Sequence, residues 1–109
     1  MFLTHSEREV LHMIRSHLED YTKYPIYLDE LVDQYKLKLT KLTWGFRMLF
    51  NESIHKYYNR YAMVHAKALL EGGAQVKEAA IALGYSRQGS FSRAFKAYYG
   101  FNPGEVRPH

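Results

Sequence analysis

Apolar residues recur along this chain at the spacing of α-helices and almost never at the alternation of β-strands. The first apolar stripe runs through Val10, Leu11, Ile14, Leu18 and Tyr21, three or four residues apart in most steps, and similar spacings return in later segments. A stripe with this period faces the core of a helical protein. The pattern therefore predicts an all-α protein.

Capping and breaking residues divide this pattern into successive helices. A capping box predicts that the first helix starts at Ser6, with Thr4 and the glutamate three residues later as a competing start. Pro25 breaks the chain after this helix. Ser86 is predicted to cap a later helix, which Gly100 ends. We expect helices after the first one, and a closing turn, at 28–35, 39–50, 54–70, 75–83, 87–99 and 103–106.

An internal repeat organises these helices. Apolar positions at 28–35 recur at an offset of 48, and those at 42–49 recur at an offset of 49, so one residue is inserted in the second turn. The matched pairs are Leu28 with Val76, Leu31 with Ala79, Val32 with Ala80, Tyr35 with Leu83, Leu42 with Phe91, Gly45 with Ala94, Phe46 with Phe95, and Leu49 with Tyr98. Each copy has helix-turn-helix proportions. We predict two subdomains, residues 1–53 and 72–109, joined by a linker helix at 54–71.

Positive charge is concentrated in the second half of the chain. Residues 1–53 hold seven Lys and Arg against eight Asp and Glu, whereas residues 54–109 hold eight against three, and the whole chain has a net charge of +4. Residues 34–51 carry four basic residues and no acid. Such clusters favour a polyanionic partner. A basic isoelectric point is also common among small proteins, so charge alone does not identify that partner.

The second helix of each copy presents an outer face without a carboxylate. Phe91, Ala94, Phe95 and Tyr98 share the inner face of the later helix, and its outer face holds Gln88, Gly89, Ser92, Arg93 and Lys96. The equivalent outer face of the earlier helix holds Thr40, Thr43, Trp44 and Arg47. Arg and Gln read guanine and adenine edges, while Ser, Thr and Lys bind phosphate oxygens. The two faces therefore predict binding to double-stranded DNA.

Residues 76–107, VKEAAIALGYSRQGSFSRAFKAYYGFNPGEVR, resemble the second helix-turn-helix of AraC/XylS-type bacterial transcription regulators. The matching positions are Ala80, Gly84, Tyr85, Phe91, Ser92, Arg93, Phe95, Lys96, Gly100, Pro103 and Arg107. A weaker resemblance extends over about residues 7–107. It implies about seven helices in two homeodomain-like subdomains with a shared linker helix. The recognition helices, about 39–50 and 87–99, would enter adjacent major-groove segments of double-stranded DNA.

The resemblance also implies which residues contact DNA. The family's usual contacting positions fall at Thr40, Thr43, Trp44, Gln88, Gly89, Ser92 and Arg93, and Arg87 completes this DNA-binding set. Phosphate binding is expected of the basic residues Lys38, Lys41, Arg47, Lys56, Lys77 and Lys96. Neutralised phosphates make binding depend on salt.

The first copy departs from the family pattern in its turn and on its outer face. Lys36, Leu37 and Lys38 stand where the family has glycine, an aromatic residue and serine, so Lys36 is expected in a strained left-handed conformation. Trp44 replaces a polar reader. It has three interpretations: contact with DNA sugars or a thymine methyl, packing over Gly45 into the core, or contact with another protein. We predict that the first unit binds mainly phosphates, with little base selectivity.

No enzyme, metal site or cofactor is indicated. The chain has no cysteine, and two histidine pairs, His12 with His17 and His55 with His65, lack the i, i+4 spacing of a helical zinc pair. Neither a nucleophile elbow nor a phosphate loop occurs. Without an apolar run of membrane-spanning length or a signal peptide, the expected location is the cytoplasm, at the bacterial nucleoid.

Two further expectations concern partners. The resemblance implies that RNA polymerase is a partner if the protein is an activator. It also implies that a sensing or dimerising domain precedes this region in many relatives, and nothing in this sequence resembles one. The competing hypothesis is a protein-interaction module on a degenerate helix-turn-helix, with Trp44 as its anchor and weak non-specific DNA binding.

Overall fold

The computed structural model describes residues 2–20 and 27–108, and in these ranges the chain forms six α-helices, one 3-10 turn and no strand. The helices are α1 (His5–Leu18), α2 (Leu28–Tyr35), α3 (Leu39–Phe50), α4 (Ile54–Glu71), α5 (Val76–Ala82) and α6 (Gln88–Tyr99), and the 3-10 turn is Pro103–Glu105. The all-α prediction is confirmed, and the helices after α1 begin and end within a residue of their predicted positions. Tyr21 and Pro25 lie outside the described residues.

The chain divides into two compact units, Met1–Arg60 and Tyr61–His109, and the division falls within α4. In the first unit α1, α2 and α3 contact one another, and in the second α5 packs on α6 and α6 on the 3-10 turn. Each unit thus contains one helix-turn-helix pair, α2 with α3 and α5 with α6. None of the helices described has both the length and the apolar character to cross a membrane.

The first helix begins at the capping box of Thr4, so the prediction of a start at Ser6 is wrong. The Thr4 hydroxyl accepts the N–H of Glu7 at 3.1 Å, and the Glu7 carboxylate accepts the N–H of Thr4 at 2.8 Å. Both starts offer a hydroxyl with a glutamate three residues on, so the local pattern does not separate them. The residue before the cap decides between the two starts. Leu3 is buried, with 7% exposure, and this holds the chain in the position where Thr4 caps the helix.

Tyr57 attaches the start of α4 to the rest of the first unit. It is only 1% exposed, and its hydroxyl accepts a hydrogen bond from Arg15 Nε at 3.1 Å and donates one to the Glu19 carboxylate. The guanidinium groups of Arg15 and Arg60 lie 5.4 and 5.0 Å from the centre of its ring. Cations at these distances are attracted to an aromatic ring, so charge as well as burial holds this side chain.

Left-handed residues occupy equivalent places in the two copies of the repeat. Lys36 follows α2 at φ 55° and Gly84 follows α5 at φ 79°, an offset of 48 residues. Asn51 ends α3 at φ 61° and Gly100 ends α6 at φ 84°, an offset of 49. These offsets match the sequence repeat, so the structure confirms the repeat together with its inserted residue. The predicted conformation of Lys36 is also confirmed.

The residue inserted in the second turn lies before α6, whose start differs from the prediction. Arg87, and not Ser86, is the N-cap, because the first i, i+4 bond of the helix runs from the N–H of Phe91 to the carbonyl of Arg87. No side chain caps α6, and none caps α3 at Lys38. Both second helices therefore begin at a basic residue that contributes no capping group.

Replacing Lys36 with glycine should raise the free energy of unfolding by up to about 1 kcal/mol, because glycine adopts a positive φ without a Cβ clash. The matched control is Lys38→Gly, which removes the same charge at φ −60°. There glycine adds only chain flexibility and should lower stability by roughly 0.5–1 kcal/mol. Thermal unfolding of both variants measures the difference, and a lower midpoint for Lys36→Gly would contradict the strain assigned to this turn.

Candidate nucleic-acid interface

Two phenylalanines fix the orientation of α6 in the second unit. Phe91 and Phe95 are fully buried, with ring centres 5.9 Å apart, and the ring of Tyr85 meets Phe91 edge-on at 5.5 Å. Tyr99 continues this i, i+4 row, and its hydroxyl donates to the Met63 carbonyl at 3.1 Å. The helix is therefore anchored near both of its ends.

Tyr98 was predicted to share the buried face of α6, and this prediction is wrong. Its side chain is 40% exposed, whereas Tyr99 is half-buried with its ring centre 4.7 Å from that of Phe95. The buried row follows i, i+4 steps from Phe91, and such a row passes through position 99. Sequence spacing places both Tyr98 and Tyr99 near the buried face of α6. Packing against Phe95 makes Tyr99 the residue that joins it.

The outer face of α6 is exposed and carries no carboxylate. Gln88, Arg93 and Lys96 are exposed and Ser92 is half-buried. Within the described ranges, the Arg93 guanidinium reaches only the Ser90 hydroxyl, at 3.5 Å, and Lys96 makes no hydrogen bond or ion pair. These donors are therefore available to an external acceptor. Arg87 is exposed at the N-terminal edge of the same face.

Gly89 lies on this face, and packing within the second unit does not explain why this residue is a glycine. Among the atoms of the described residues, a Cβ built at this position would have only Arg93 Nη1 within 4 Å, at 3.9 Å. The fold of the second unit therefore does not need a glycine here. Its effect is to leave the first turn of α6 open to close approach from outside.

Gly45 has the opposite role in α3, where the fold requires a small residue. A Cβ there would lie 2.7 Å from Leu11 Cδ1 and 3.0 Å from Leu3 Cδ2. Leu11 belongs to α1 and Leu3 precedes it, so Gly45 lets α1 and the segment before it approach α3. Leu42 and Phe46, both fully buried, complete the inner face of the helix.

Trp44 lies at the surface and not in the core. Because Leu3 and Leu11 fill the space beside Gly45, the interpretation that Trp44 packs over that glycine is wrong. The indole is half-buried and lines a shallow groove of about 360 Å³ together with Arg47, Met48 and Asn51. The other two interpretations, a DNA contact and a protein contact, are both compatible with this position.

Lys41 has a partner inside the first unit. Its ammonium donates to the Phe2 carbonyl at 2.7 Å and to the Glu7 carboxylate at 3.2 Å, and its side chain is 25% exposed. The Thr4 N–H, with further help from Lys41, lowers the pKa of Glu7, so this carboxylate stays charged at neutral pH. Phosphate binding by Lys41 stays a prediction, and a phosphate would compete with Glu7 for the ammonium.

The remaining predicted residues of the first unit lie at the surface. Lys38, Thr40 and Arg47 are exposed, and Thr43 is half-buried with its hydroxyl donating to the Leu39 carbonyl at 3.0 Å. This bond occupies the one proton that the Thr43 hydroxyl can donate. The Thr43 hydroxyl is therefore not free to donate to a base.

A second groove adjoins the one beside Trp44. It is lined by Arg47, Asn51, Glu52, Ser53 and Lys56. Its only acid is already paired, because the Glu52 carboxylate binds the guanidinium of Arg60 at 2.8 and 3.0 Å. The two grooves together therefore present the positive charges of Arg47 and Lys56, which have no acidic partner among the residues that the structure describes.

Sequence reasoning missed Met48 and Asn51 as members of this surface. In the repeat they correspond to Ala97 and Gly100, which carry no side chain able to reach far outward. A comparison of the two copies therefore gave no reason to select them. Their signal is their position on the helix, since Met48 lies one turn after Trp44 and Asn51 one turn after Arg47, on the outer side of α3.

The sequence profile of a family described as "Helix-turn-helix domain" matches residues 31–109, and no curated protein sequence matches significantly. The C-terminal domain of the two-component response regulator yesN from Fusobacterium nucleatum has a similar structure, with a TM-score of 0.76 and 27% identity over 92% of this chain and 96% of that one. A probable AraC family transcriptional regulator from Rhodopseudomonas palustris gives 0.71 and 23%, over 92% and 99%. The DNA-binding domain of AdpA, a global transcriptional factor solved in complex with a target DNA, gives 0.70 and 19%, over 93% and 88%.

Gly45→Val should lower the free energy of unfolding by about 1–3 kcal/mol, because its side chain would overlap the packed leucines of α1 and the segment before it. Met48→Val is the matched control, since it places the same residue on α3 at a position that is 59% exposed. The control should change stability by less than about 1 kcal/mol. Urea unfolding measures both changes. Equal losses of stability in the two variants would show that packing at Gly45 is not the cause of the loss.

Proposed function

The chain belongs to the AraC-type family of helix-turn-helix domains, and on this basis we propose that it binds double-stranded DNA at specific sequences and regulates bacterial transcription. The observation that carries the proposal is the outer face of α6. Buried Phe91 and Phe95 fix this helix, and its exposed side holds Arg93 and Lys96 with no acid beside them. The AdpA domain, which shares the fold, was solved with its target DNA, and this supports the proposal.

In this proposal α6 supplies the hydrogen bonds that read bases. The Arg93 guanidinium has the planar pair of donors that fits the two acceptors of guanine, and Gln88 has the donor and acceptor that fit adenine. The open surface at Gly89 allows close approach of the duplex. Lys96 and Arg87, both exposed, neutralise phosphates on either side of the groove.

The role assigned to α3 is mainly contact with the DNA backbone. Lys38 and Arg47 are exposed cations suited to phosphate oxygens, while Thr43 donates its proton to its own helix and Lys41 is bound to Glu7. In this proposal Thr43 and Lys41 therefore do not read bases by donating hydrogen bonds. We assign α3 and α6 to adjacent major-groove segments of one duplex.

A salt titration of binding to duplex DNA separates this function from the protein-interaction alternative. Each phosphate neutralised by a cation contributes to the decrease of affinity with salt, so a duplex carrying the selected site should give a log–log slope on the order of −4 to −6. Selection from randomised duplexes would supply that site. Failure to bind any duplex at low salt would reject DNA binding and favour the protein-interaction alternative.

Arg93→Ala should weaken specific binding by roughly 1–3 kcal/mol and relax selectivity at one base pair, while the fold is kept because the side chain is exposed. Arg8→Ala is the control, since it removes one exposed positive charge from α1, outside the proposed face. Fluorescence anisotropy with the selected duplex and with single-base variants of it measures both effects. Unchanged affinity and selectivity in Arg93→Ala would remove this residue from the reading face.

A further inference from the structure

The outer faces of α3 and α6 differ in chemistry at equivalent positions. At the offset of 49 residues that relates the two helices, Trp44 stands where α6 has Arg93, and Met48 stands where α6 has Ala97. The first copy thus replaces a fork of hydrogen-bond donors with a flat indole, and adds a long apolar side chain one turn later. The outer face of α3 is therefore more apolar at these two positions than the outer face of α6.

The structure leaves both apolar side chains accessible. Met48 is 59% exposed, and Trp44, half-buried, forms the wall of the groove that Arg47 and Asn51 complete. The partly buried indole is a flat, rigid ring, whereas the unbranched thioether of methionine adapts to the shape of what it meets. Together they offer one rigid and one adjustable apolar contact.

The charge around this apolar pair favours a polyanion as its partner. Arg47 shares the groove with Trp44, Lys56 lies in the adjoining groove, and the carboxylate of Glu52 between them is neutralised by Arg60. Residues 34–51 contain no acid at all. In the major groove the apolar group that bases present is the C5-methyl of thymine, between two rows of phosphates.

We propose that Trp44 and Met48 recognise thymine methyl groups in the half-site that α3 contacts, an inference that rests on the DNA binding proposed above. Arg47 and Lys56 hold the flanking phosphates and set the depth at which α3 enters the groove. The first unit then selects thymine at one or two positions through apolar contact. This selectivity does not depend on hydrogen bonds from α3.

The test uses deoxyuridine, which pairs like thymine but lacks the methyl group. A duplex recovered by selection from a randomised pool is remade with each thymine of the half-site assigned to α3 replaced in turn by deoxyuridine. Loss of one buried methyl should weaken binding of the wild-type protein about three- to fivefold at one or two positions. Replacements in the half-site of α6 serve as the internal control for general effects of uracil.

Two variants connect this loss to the named side chains. Trp44→Ala and Met48→Ala should each bind the thymine duplex more weakly, and each should lose its response to deoxyuridine at the position it contacts. Arg93→Ala should keep the full response in the half-site of α3. Thermal unfolding checks the fold of each variant, and Met48→Ala keeps the test valid if Trp44→Ala unfolds, because Met48 is largely exposed.

The outcomes separate this inference from the function on which it rests. Binding that is specific but indifferent to every deoxyuridine in the half-site of α3 overturns methyl recognition and leaves DNA binding intact. Selected half-sites without thymine do the same, as does a wild-type response to deoxyuridine in both alanine variants. If no duplex binds, both proposals are rejected, and Trp44 and Met48 become the anchor of a protein contact.

Discussion

The rotation of each second helix about its own axis is the constraint on which the rest of this structure depends. Phe46 in α3 and Phe91 and Phe95 in α6 are fully buried. Turning either helix by one residue would bring a phenylalanine to the surface and lose roughly 1.5–3 kcal/mol of burial. Because the inner row is fixed in this way, the residues opposite it are fixed as well. The packing of the core therefore determines which side chains form the outer face.

The two units reach this arrangement by different means. In α3 a small residue, Gly45, admits Leu3 and Leu11, and one helical turn away Lys41 binds the carbonyl and the carboxylate that precede and begin α1. The equivalent positions of α6 are Ala94 and Ser90, and the Ser90 hydroxyl is bound within its own helix, by Arg93 at 3.5 Å. An apolar and a polar contact thus hold α3 against α1 and the segment before it. A substitution in the segment before α1 would therefore alter the packing of α3 directly.

Local information was enough to predict most of the helices, the repeat and the left-handed residue at Lys36. Periodicity, helix caps and turns each depend on residues that are close together in the sequence. What the sequence left undecided depends on contacts between distant residues. The choice of Thr4 over Ser6 follows from burial of Leu3, and the partner of Lys41 lies 34 residues away in the sequence. Trp44 lies at the surface because Leu3 and Leu11 fill the space beside Gly45, and helical periodicity alone does not predict that contact.

The asymmetry between the two outer faces gives the proposed function a division of labour. An arginine that faces the wrong base is left with unpaired donors in a desolvated groove, so a mismatch at Arg93 carries a large penalty. An apolar side chain that finds no methyl loses only the burial of that methyl, a smaller and graded difference. In this proposal α6 decides which sites are bound at all, and α3 adjusts affinity among them. A duplex with a correct half-site for α6 alone therefore remains a weaker target for the same protein.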